Sequence, residues 1–348
     1  FVMMWLSLPL AGTRGRSDDA STVESDADEA RSRRRRFARH LRWRAAILVL
    51  LFAVLIGDAG WWSYQRYFDP DLRVTFLSVG EGDAAVVRFP GSRVMLVDGG
   101  GAFFGTFDPG EQIVAAYLWS KKIMHVDYIA LSHPDRDHFG GLIFIARNFS
   151  PSQFWDSGVS STDTSYGELL DAIKQAGART RTVDADTPPL VIGGVMLRFL
   201  GPPSGEVEAR HNNSSMVLRL TYDGASFLFT GDIEGKGERQ LIAGGADLHA
   251  AVLKVPHHGS ATSSTAEFVA AVDPQAAVIS LGYHNQFHFP AAGVVDRYHA
   301  ADAQVLRTDD VGAVMADDAA SGLRLWTFRG GAVALPPPPH AADIGAAR

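Results

Sequence analysis

The sequence contains no cysteine among its 348 residues. This absence excludes disulfide bonds, zinc sites with cysteine ligands and catalysis by a thiol. It is compatible with either side of a membrane, because the redox state of a compartment acts on proteins mainly through their thiols. Chemistry in this chain therefore has to come from other side chains.

Basic residues are scarce in most of the chain. Residues 70–348 contain 21 Lys and Arg against 31 Asp and Glu, a net charge of −10, whereas residues 1–69 contain 11 against 8. Affinity for nucleic acid comes largely from basic side chains that neutralise phosphates. A strongly acidic domain is therefore not an obvious clamp for nucleic acid, which weighs against an interpretation as a nuclease.

Two segments open the chain. It starts with Phe1 rather than Met, and residues 1–12 are typical of the end of a preceding apolar membrane segment. We therefore expect a C-terminal fragment of a larger protein. Residues 13–44 are predicted to form a disordered, basic cytoplasmic loop. Residues 13–30 are rich in Ser, Asp and Glu without apolar periodicity, and Arg31–Arg44 holds eight arginines.

A predicted transmembrane helix follows at residues 45–62. These 18 residues are mostly apolar, end in Trp61 and Trp62, and would span roughly 27 Å as a helix, enough for a bilayer core. The adjoining arginines are typical of a cytoplasmic flank, so everything after Trp62 would lie outside the cytoplasm. A solvated or nucleic-acid-binding basic tail is the alternative. An N-terminal signal peptide is excluded, because the apolar run begins too late.

Residues 70–335 have the pattern of one domain built from sheets and helices. Strands that first follow one another and then alternate with helices predict mixed sheets covered by helices. Residues 336–348 are predicted to be a disordered tail. The predicted strands are Arg73–Val79, Ala84–Phe89, Val94–Val97, Val126–Ser132, Val195–Leu200, Met216–Tyr222, Ser226–Phe229, Ala250–Val255 and Ala276–Leu281, with helices near Glu111–Lys122, Ser165–Ala176 and Lys236–Ala243.

The hexapeptide His133–His138 (HPDRDH) is the strongest chemical signal. It places two imidazoles and two carboxylates at the end of a buried strand, where binding of a divalent metal would offset the cost of burying them. His133 and Asp135 can converge on one ion, while Asp137 and His138 would serve a second ion nearby. A capped helix start is the alternative, but a cap needs only one such residue.

Two further strand ends could complete a two-metal site. Asp232 follows an apolar strand in Phe229-Thr230-Gly231-Asp232 and could bridge both ions, although carboxylates are also common in turns. The pair His257 and His258 follows another strand, and Gly259 lets the backbone approach closely. The sequence leaves open which of the two histidines is the ligand.

Other polar residues near strand ends carry weaker signals. Asp98 is suited to orienting a ligand imidazole. A group from His211, Asn212 and Asn213 could complete the first metal site or contact substrate, but asparagines are also ordinary turn formers. Candidate substrate contacts are Ser260, Asn285 and His288.

Several of these stretches resemble the metallo-β-lactamase-fold hydrolases, and more closely the C-terminal domain of ComEC-type DNA-internalisation (competence) proteins. The resemblance covers roughly residues 72–330. The stretches that carry it are Val79-Gly80-Glu81-Gly82-Asp83, Leu96-Val97-Asp98-Gly99-Gly100, Ser132-His133-Pro134-Asp135-Arg136-Asp137-His138-Phe139-Gly140-Gly141, Thr230-Gly231-Asp232-Ile233-Glu234 and Lys254-Val255-Pro256-His257-His258-Gly259-Ser260.

The resemblance implies an α/β fold, a four-layer αββα sandwich preceded by one transmembrane helix. It implies a metal-dependent hydrolase that cleaves phosphodiesters with two divalent ions, Mn or Zn. Catalytic roles would fall to Asp137 and Asp232. The implied metal ligands are His133, Asp135, Asp137, His138, Asp232 and His257 or His258.

The implied context is DNA uptake during natural transformation. The domain would degrade the non-imported strand outside the inner membrane, beside a channel and other uptake machinery; the sequence leaves the oligomeric state open. Alternatives are a metallohydrolase for lactones, thioesters or phosphorylcholine, and a non-catalytic, DNA-guiding domain.

Several positions depart from the family patterns. Ser78 and Glu81 replace the Asp and Gln that are usual in the first glycine-rich turn, a change that we expect to spare the metals. Asp135 stands where metallo-β-lactamase-fold hydrolases have a second histidine, which makes manganese a serious alternative to zinc. In Asn285-Gln286-Phe287-His288-Phe289-Pro290, His288 lies one residue earlier than the family's histidine. A substrate contact carried over to that loop therefore rests on an imperfect match.

Overall fold

The computed structural model describes residues 19–101, 107–205, 212–319 and 322–336. The predicted segment 1–12 and the tail after Pro336 lie outside these residues, as does His211. The chain divides into two compact units, Phe1–Ser63 and Tyr64–Arg348.

Helix α1 (Asp19–Tyr67) contains the Arg-rich segment and the apolar run in one continuous element. Residues 19–44, for which the sequence predicts disorder, are therefore helical in the structure. Ion pairs one turn apart explain part of the difference, since Arg33 Nη2 lies 2.6 Å from Glu29 Oε1 and Arg31 Nη1 lies 3.8 Å from Asp28 Oδ1. Such pairs, together with the good helix formers Ala, Arg and Glu, stabilise an exposed helix.

The apolar part of α1 meets the length and composition of a membrane span. Within Glu24–Tyr64 an 18-residue window has a mean hydropathy of 2.0 and is not buried inside the protein. Large apolar side chains such as Leu48, Phe52 and Leu55 are exposed along it. The apolar helix predicted at residues 45–62 is therefore present, and it extends beyond both predicted ends.

Two sheets make up the core of the second unit among the described residues. Their strands are β1 (Leu72–Phe76), β2 (Ala85–Arg88), β3 (Val94–Val97), β4 (Tyr128–Ala130), β5 (Gln153–Asp156), β6 (Arg179–Thr182), β7 (Leu190–Ile192), β8 (Val195–Gly201), β9 (Val217–Tyr222), β10 (Ala225–Phe229), β11 (Val252–Lys254), β12 (Ala276–Ile279), β13 (Gln304–Arg307), β14 (Val314–Ala319), β15 (Gly322–Thr327) and β16 (Gly331–Val333). One sheet has the order β16-β15-β14-β1-β2-β3-β4-β5-β6, and the other has the order β13-β12-β11-β10-β9-β8-β7.

Helices cover the outer face of each sheet. A π-helical turn at Gly110–Ala115 leads into α2, and single 3₁₀ turns lie at Asn212–Ser214 and Pro256–Gly259. The helices after α1 are α2 (Ala116–Ser120), α3 (Arg136–Phe139), α4 (Leu142–Asn148), α5 (Thr164–Gln175), α6 (Gly235–Ala243), α7 (Ala266–Val272), α8 (Ala292–Ala300) and α9 (Thr308–Val311).

Three buried apolar clusters define four layers. The central cluster joins the inner faces of both sheets, where Phe76 of β1 meets Phe229 of β10 with ring centroids 5.7 Å apart. A second cluster includes Ile145 and Leu169 on the helices over the first sheet. A third includes Phe268 on the helices over the second sheet. This arrangement confirms the predicted αββα sandwich. Its strands bury side chains on one face or on both faces, as sheet packing requires.

The parallel strands carry the polar residues of interest to one edge. β3, β4 and β5 run parallel in the first sheet, and β10, β11 and β12 run parallel in the second. Asp98 follows the end of β3, and Asp232 follows the end of β10. Because the carboxyl ends of parallel strands share an edge, residues distant in sequence meet there.

Candidate metal centre

Four buried side chains converge at this edge. Asp83, His138, Asp232 and His258 each offer one nitrogen or oxygen atom, and these atoms all lie within 4.8 Å of one another. Each side chain comes from a different strand end or turn. Two carboxylates and two imidazoles around one point form a donor set that suits a divalent cation.

His138 is held in place from behind. Its Nδ1 lies 2.9 Å from Asp98 Oδ2, while the other Asp98 oxygen accepts a hydrogen bond of 2.7 Å from the Ser132 backbone N–H. This leaves Nε2 of the His138 ring directed at Asp232 Oδ2, 3.3 Å away. Asp98 therefore makes the contact with His138 that orienting this imidazole would require.

Asp232 Oδ2 lies between several imidazoles. It is 3.4 Å from His258 Nε2 and 4.0 Å from His257 Nε2. The Asp232 backbone N–H donates to Ser215 Oγ at 3.1 Å, which fixes the turn after β10. The carboxylate can therefore face two neighbouring positions, as expected for a bridging group.

The turn Pro256–Gly259 directs its two histidines apart. His257 has φ +49° and His258 φ +53°, in the left-handed region that non-glycine residues seldom adopt. His258 Nδ1 donates to the Ser280 carbonyl at 2.8 Å, so its Nε2 is free to face Asp137 Oδ2, 3.5 Å away. Of the two predicted alternatives, His258 is the one that joins the four-residue cluster.

His257 belongs to the second, more open side of the centre. Its Nδ1 lies 3.4 Å from Glu234 Oε1, and Asn212 Nδ2 is 3.5 Å from the ring nitrogens. Burial lowers the pKa of His257, outweighing the opposing effect of Asp232. A neutral imidazole next to two carboxylates is a competent metal donor.

His133 and Asp135 pair as their spacing predicts. His133 Nε2 lies 3.4 Å from Asp135 Oδ2, and the His133 ring is 4.2 Å from that of His138 between centroids. His133 is buried, whereas the Asp135 side chain is 59% exposed. The pair therefore lies beside the buried cluster, at its solvent side.

A buried cation belongs to the same centre. Lys254 Nζ contacts a carboxylate oxygen of Asp83, donates to the Gly231 carbonyl at 2.9 Å and lies 3.4 Å from Asp232 Oδ1. Burial opposes its charge, but Asp83 and Asp232 outweigh that cost and raise the pKa of Lys254. The lysine therefore holds both carboxylates in fixed positions.

The electrostatic field of the centre favours a positive charge. Burial opposes charge on His258, yet Asp232 and Asp83 raise the pKa of His258 to about 10. Burial likewise disfavours the Asp137 carboxylate, but His138 and His258 lower the pKa of Asp137 to about 2. A field that holds protons on buried imidazoles also attracts a divalent ion, whose binding would displace those protons.

Unpaired buried atoms show that the residues fit a metal. Among the described residues, Nε2 of His133, His138 and His258 are buried without a hydrogen-bond partner, and so is Asp83 Oδ1, whereas Asp83 Oδ2 contacts Lys254. Buried polar atoms of native proteins are normally satisfied. Four such atoms at one sheet edge are the arrangement that metal ligation would satisfy.

Asp83 is the residue of the cluster that the sequence candidates missed. It lies in the turn Gly80-Glu81-Gly82-Asp83 after β1, so a carboxylate beside a glycine-rich turn was the available signal. Gly82 has φ +101°, and a Cβ there would collide with the Asp137 backbone carbonyl. The turn with Asp83 can therefore press against the His133–His138 segment only because position 82 is glycine.

The remaining candidates have other contacts. Asn213 Oδ1 accepts hydrogen bonds of 2.9 Å from the backbone N–H groups of Glu234 and Gly237, so it stabilises the start of α6. Ser260 is buried, and its hydroxyl lies 2.9 Å from that of Thr262. Neither contact supports the predicted role in binding metal or substrate.

Asn285 and His288 lie on a loop next to the centre. The Asn285 side chain bonds both backbone groups of Phe289, at 2.7 and 2.8 Å. His288 is exposed and lines a surface cavity with Tyr283 and Phe289. Asn285 therefore shapes the loop, whereas His288 remains accessible to a substrate.

Comparison with known proteins identifies the class of the domain. The family described as the metallo-beta-lactamase superfamily matches residues 77–284. The chain therefore belongs to this superfamily, in agreement with its four-layer fold and with the candidate metal centre at the sheet edge.

Three bacterial proteins, one of them named as a competence protein, are similar to this chain. The chain is 29% identical to ComE operon protein 3 of Bacillus subtilis over 69% of this chain and 32% of that protein. It is 31% identical to competence protein ComA of Neisseria gonorrhoeae, over 82% of this chain and 39% of that protein. Recombination protein 2 of Haemophilus influenzae is 30% identical over 79% and 31%. The resemblance to ComEC-type competence proteins is thus confirmed, and the chain spans about a third of the length of these relatives.

Proposed function

We propose that the domain is a metal-dependent phosphodiesterase that cleaves DNA. The observation that carries the proposal is a set of four buried atoms without a hydrogen-bond partner, Nε2 of His133, His138 and His258 and Oδ1 of Asp83. Next to them, Asp232 faces both sides of the centre. A site with this many oxygen donors is suited to the phosphoryl chemistry of two-metal hydrolases.

Two divalent ions, Mn or Zn, would bind at adjacent positions. Asp83, Asp137, His138 and His258 would hold one, and His133, Asp135 and His257 the other, with Asp232 between them. Such ions lower the pKa of water and neutralise charge on a phosphate. The large share of carboxylates favours manganese over an all-histidine zinc site.

Protein groups would supply orientation and charge balance. Asp98 fixes the proton of His138 on Nδ1, so that Nε2 keeps its lone pair toward the centre. Lys254 offsets part of the negative charge of Asp83 and Asp232, which keeps four nearby aspartates compatible with burial. Asp137 and Asp232, both with a lowered pKa, would stay ionised and accept or position protons at the reacting edge.

The cellular role we propose follows from the relatives and from α1. The arginine-rich flank of the apolar helix would stay in the cytoplasm, which puts the hydrolase domain on the outer side of the inner membrane. There it would degrade the DNA strand that is not imported, beside a channel and other uptake machinery. With a net charge of −10 on residues 70–348, substrate would be delivered by partners.

The test compares DNA with other esters on the full chain in detergent. With Mn²⁺ or Zn²⁺ we expect hydrolysis of DNA and none of a lactone, a thioester or a phosphorylcholine ester. Asp137→Ala and His138→Ala should abolish DNA hydrolysis, while Asp171→Ala on the exposed face of α5 should not. Preference for a small ester would assign another hydrolase class, and unchanged DNA uptake and hydrolysis in the first two variants would indicate a non-catalytic domain.

A further inference from the structure

Two exposed aromatic side chains lie in one loop beside the candidate metal centre. In the loop 282–290, here called the aromatic loop, Tyr283 is 77% and Phe287 45% exposed, and Phe289 is partly exposed. Large aromatic side chains exposed side by side are a feature of binding surfaces. The aromatic loop is therefore a candidate contact surface next to the chemistry.

Both ends of the aromatic loop are tied to the centre. Gly282 donates its backbone N–H to the Glu81 carboxylate, in the same turn as Asp83. At the other end, Ala291 N–H donates to the Gly259 carbonyl at 2.8 Å, directly after His258. The two Asn285 bonds to Phe289 brace the middle. The exposed rings are thus presented on a fixed backbone.

The rings form a series that leads outward from the metal centre. Centroid distances are 6.4 Å from His258 to His257, 5.7 Å from His257 to Phe289 and 5.6 Å from Phe289 to Phe287, the last pair stacked at 22°. A surface cavity of about 470 Å³ adjoins this series, lined by Tyr283 and Phe289 among others. A ligand lying on these rings would have its next unit at the metal centre.

Stacking on aromatic rings selects unpaired bases. In a duplex the faces of the bases are covered by their neighbours, whereas a single strand offers each face to a side chain. The acidic charge of the domain gives little attraction for the dense phosphates of a duplex. We propose that the aromatic loop binds single-stranded DNA by stacking bases on Phe287 and Tyr283, and so makes the centre selective for single strands. The inference rests on the proposed nuclease function.

The test uses one oligonucleotide of about 15 nucleotides, as a fluorescein-labelled single strand and as a duplex with its complement. The full chain in detergent is compared with Phe287→Leu and Tyr283→Leu, and with Phe328→Leu, which removes an equally exposed aromatic (77%) outside the ring series. Binding is measured by anisotropy in EDTA, and cleavage with Mn²⁺. Leucine keeps part of the apolar contact but lacks the flat ring on which a base stacks.

We expect Phe287→Leu and Tyr283→Leu to weaken single-strand binding about five- to tenfold and to raise KM similarly, with duplex binding unchanged. Equal effects on both DNA forms, or an equal effect of Phe328→Leu, would overturn the inference. Absence of any DNA cleavage by the unmodified chain would instead refute the nuclease function. In that case the anisotropy measurement still decides whether the loop binds single strands.

Discussion

The carboxylate of Asp98 lies 2.9 Å from Nδ1 of His138 and also accepts the Ser132 backbone N–H. One Asp98 oxygen is thus committed to Ser132, and only the other can accept the His138 proton. Once a metal has displaced the second proton of the ring, this contact would keep the remaining proton on Nδ1 and leave the Nε2 lone pair facing the centre. The tautomer of a metal ligand is set by such a contact to its other nitrogen.

Asp98→Asn should therefore weaken metal binding without unfolding the protein. With the amide oxygen accepting from Ser132, the amide NH₂ would face Nδ1 and force the proton onto Nε2, toward the metal. We expect about 10- to 100-fold weaker Mn²⁺ or Zn²⁺ binding, measured by titration calorimetry. Asp273→Asn is the matched control, because Asp98 (φ +56°) and Asp273 (φ +48°) share the left-handed backbone that asparagine tolerates. Equal affinities in all three proteins would contradict this role.

Lys254→Met should destabilise the protein more when no metal is bound than when a divalent ion is bound. Removing the ammonium leaves Asp83 and Asp232 buried without their cation, and loss of one partner of a buried ion pair costs about 3–5 kcal/mol. A bound divalent ion would replace part of the missing charge, so the variant should gain more thermal stability from Mn²⁺ than the unmodified chain does. Thermal unfolding in EDTA and in Mn²⁺ measures both effects. Lys174→Met, on the exposed face of α5, is the control. An equal Mn²⁺-induced rise in Tm for variant and parent would refute the explanation.

The sequence revealed the local parts of this centre better than their assembly. His133–His138 is a short segment whose residues act within one turn, so its spacing alone indicated metal binding. Asp83 and Lys254 gained their meaning only because the turn between β1 and β2 meets β11 of the other sheet. Contacts of that kind depend on tertiary structure, whereas the hydrophobic periodicity of a sequence predicts only helices and strands.

The sequence likewise predicted some elements of the fold correctly and missed others. The strand Val94–Val97 has the predicted bounds, whereas Arg73–Val79 shortens to Leu72–Phe76, because the last predicted residues turn away to carry Asp83. The edge strand β6 has the sequence RTRT with mostly exposed side chains, so it lacks the apolar pattern that identifies buried strands. In α1, the charged segment that was predicted to be disordered is helical, and oppositely charged residues form an ion pair along it.

Asp318 should make the domain less stable as pH rises. Burial, followed by the nearby Asp223, raises the pKa of Asp318 to about 6 from its ordinary value of 3.8. The folded state then holds the proton more tightly than the unfolded chain, so the free energy of unfolding falls as pH rises from about 4 through 6. This difference corresponds to about 3 kcal/mol at most.

Asp318→Asn removes that titration. We expect it to raise the free energy of unfolding above pH 6 by up to about 3 kcal/mol and to flatten the dependence between pH 4 and 6. Denaturant unfolding across this range measures the effect, with Asp171→Asn as control. A variant that is no more stable than the parent at pH 7.5 would show that Asp318 ionises in the fold without cost.

Glu238 joins α6 to the start of α7, close behind the His257–His258 turn. It is fully buried, and its two oxygens accept the backbone N–H groups of Ser264 and Thr265, the latter at 2.8 Å. Glu238→Gln keeps one acceptor but turns an NH₂ group toward the other N–H, leaving two donors face to face. An unsatisfied buried donor costs about 1–3 kcal/mol, which urea unfolding should detect. Glu267→Gln, on the exposed first turn of α7, is the matched control, and equal stability of the two variants would mean that water replaces the lost bond.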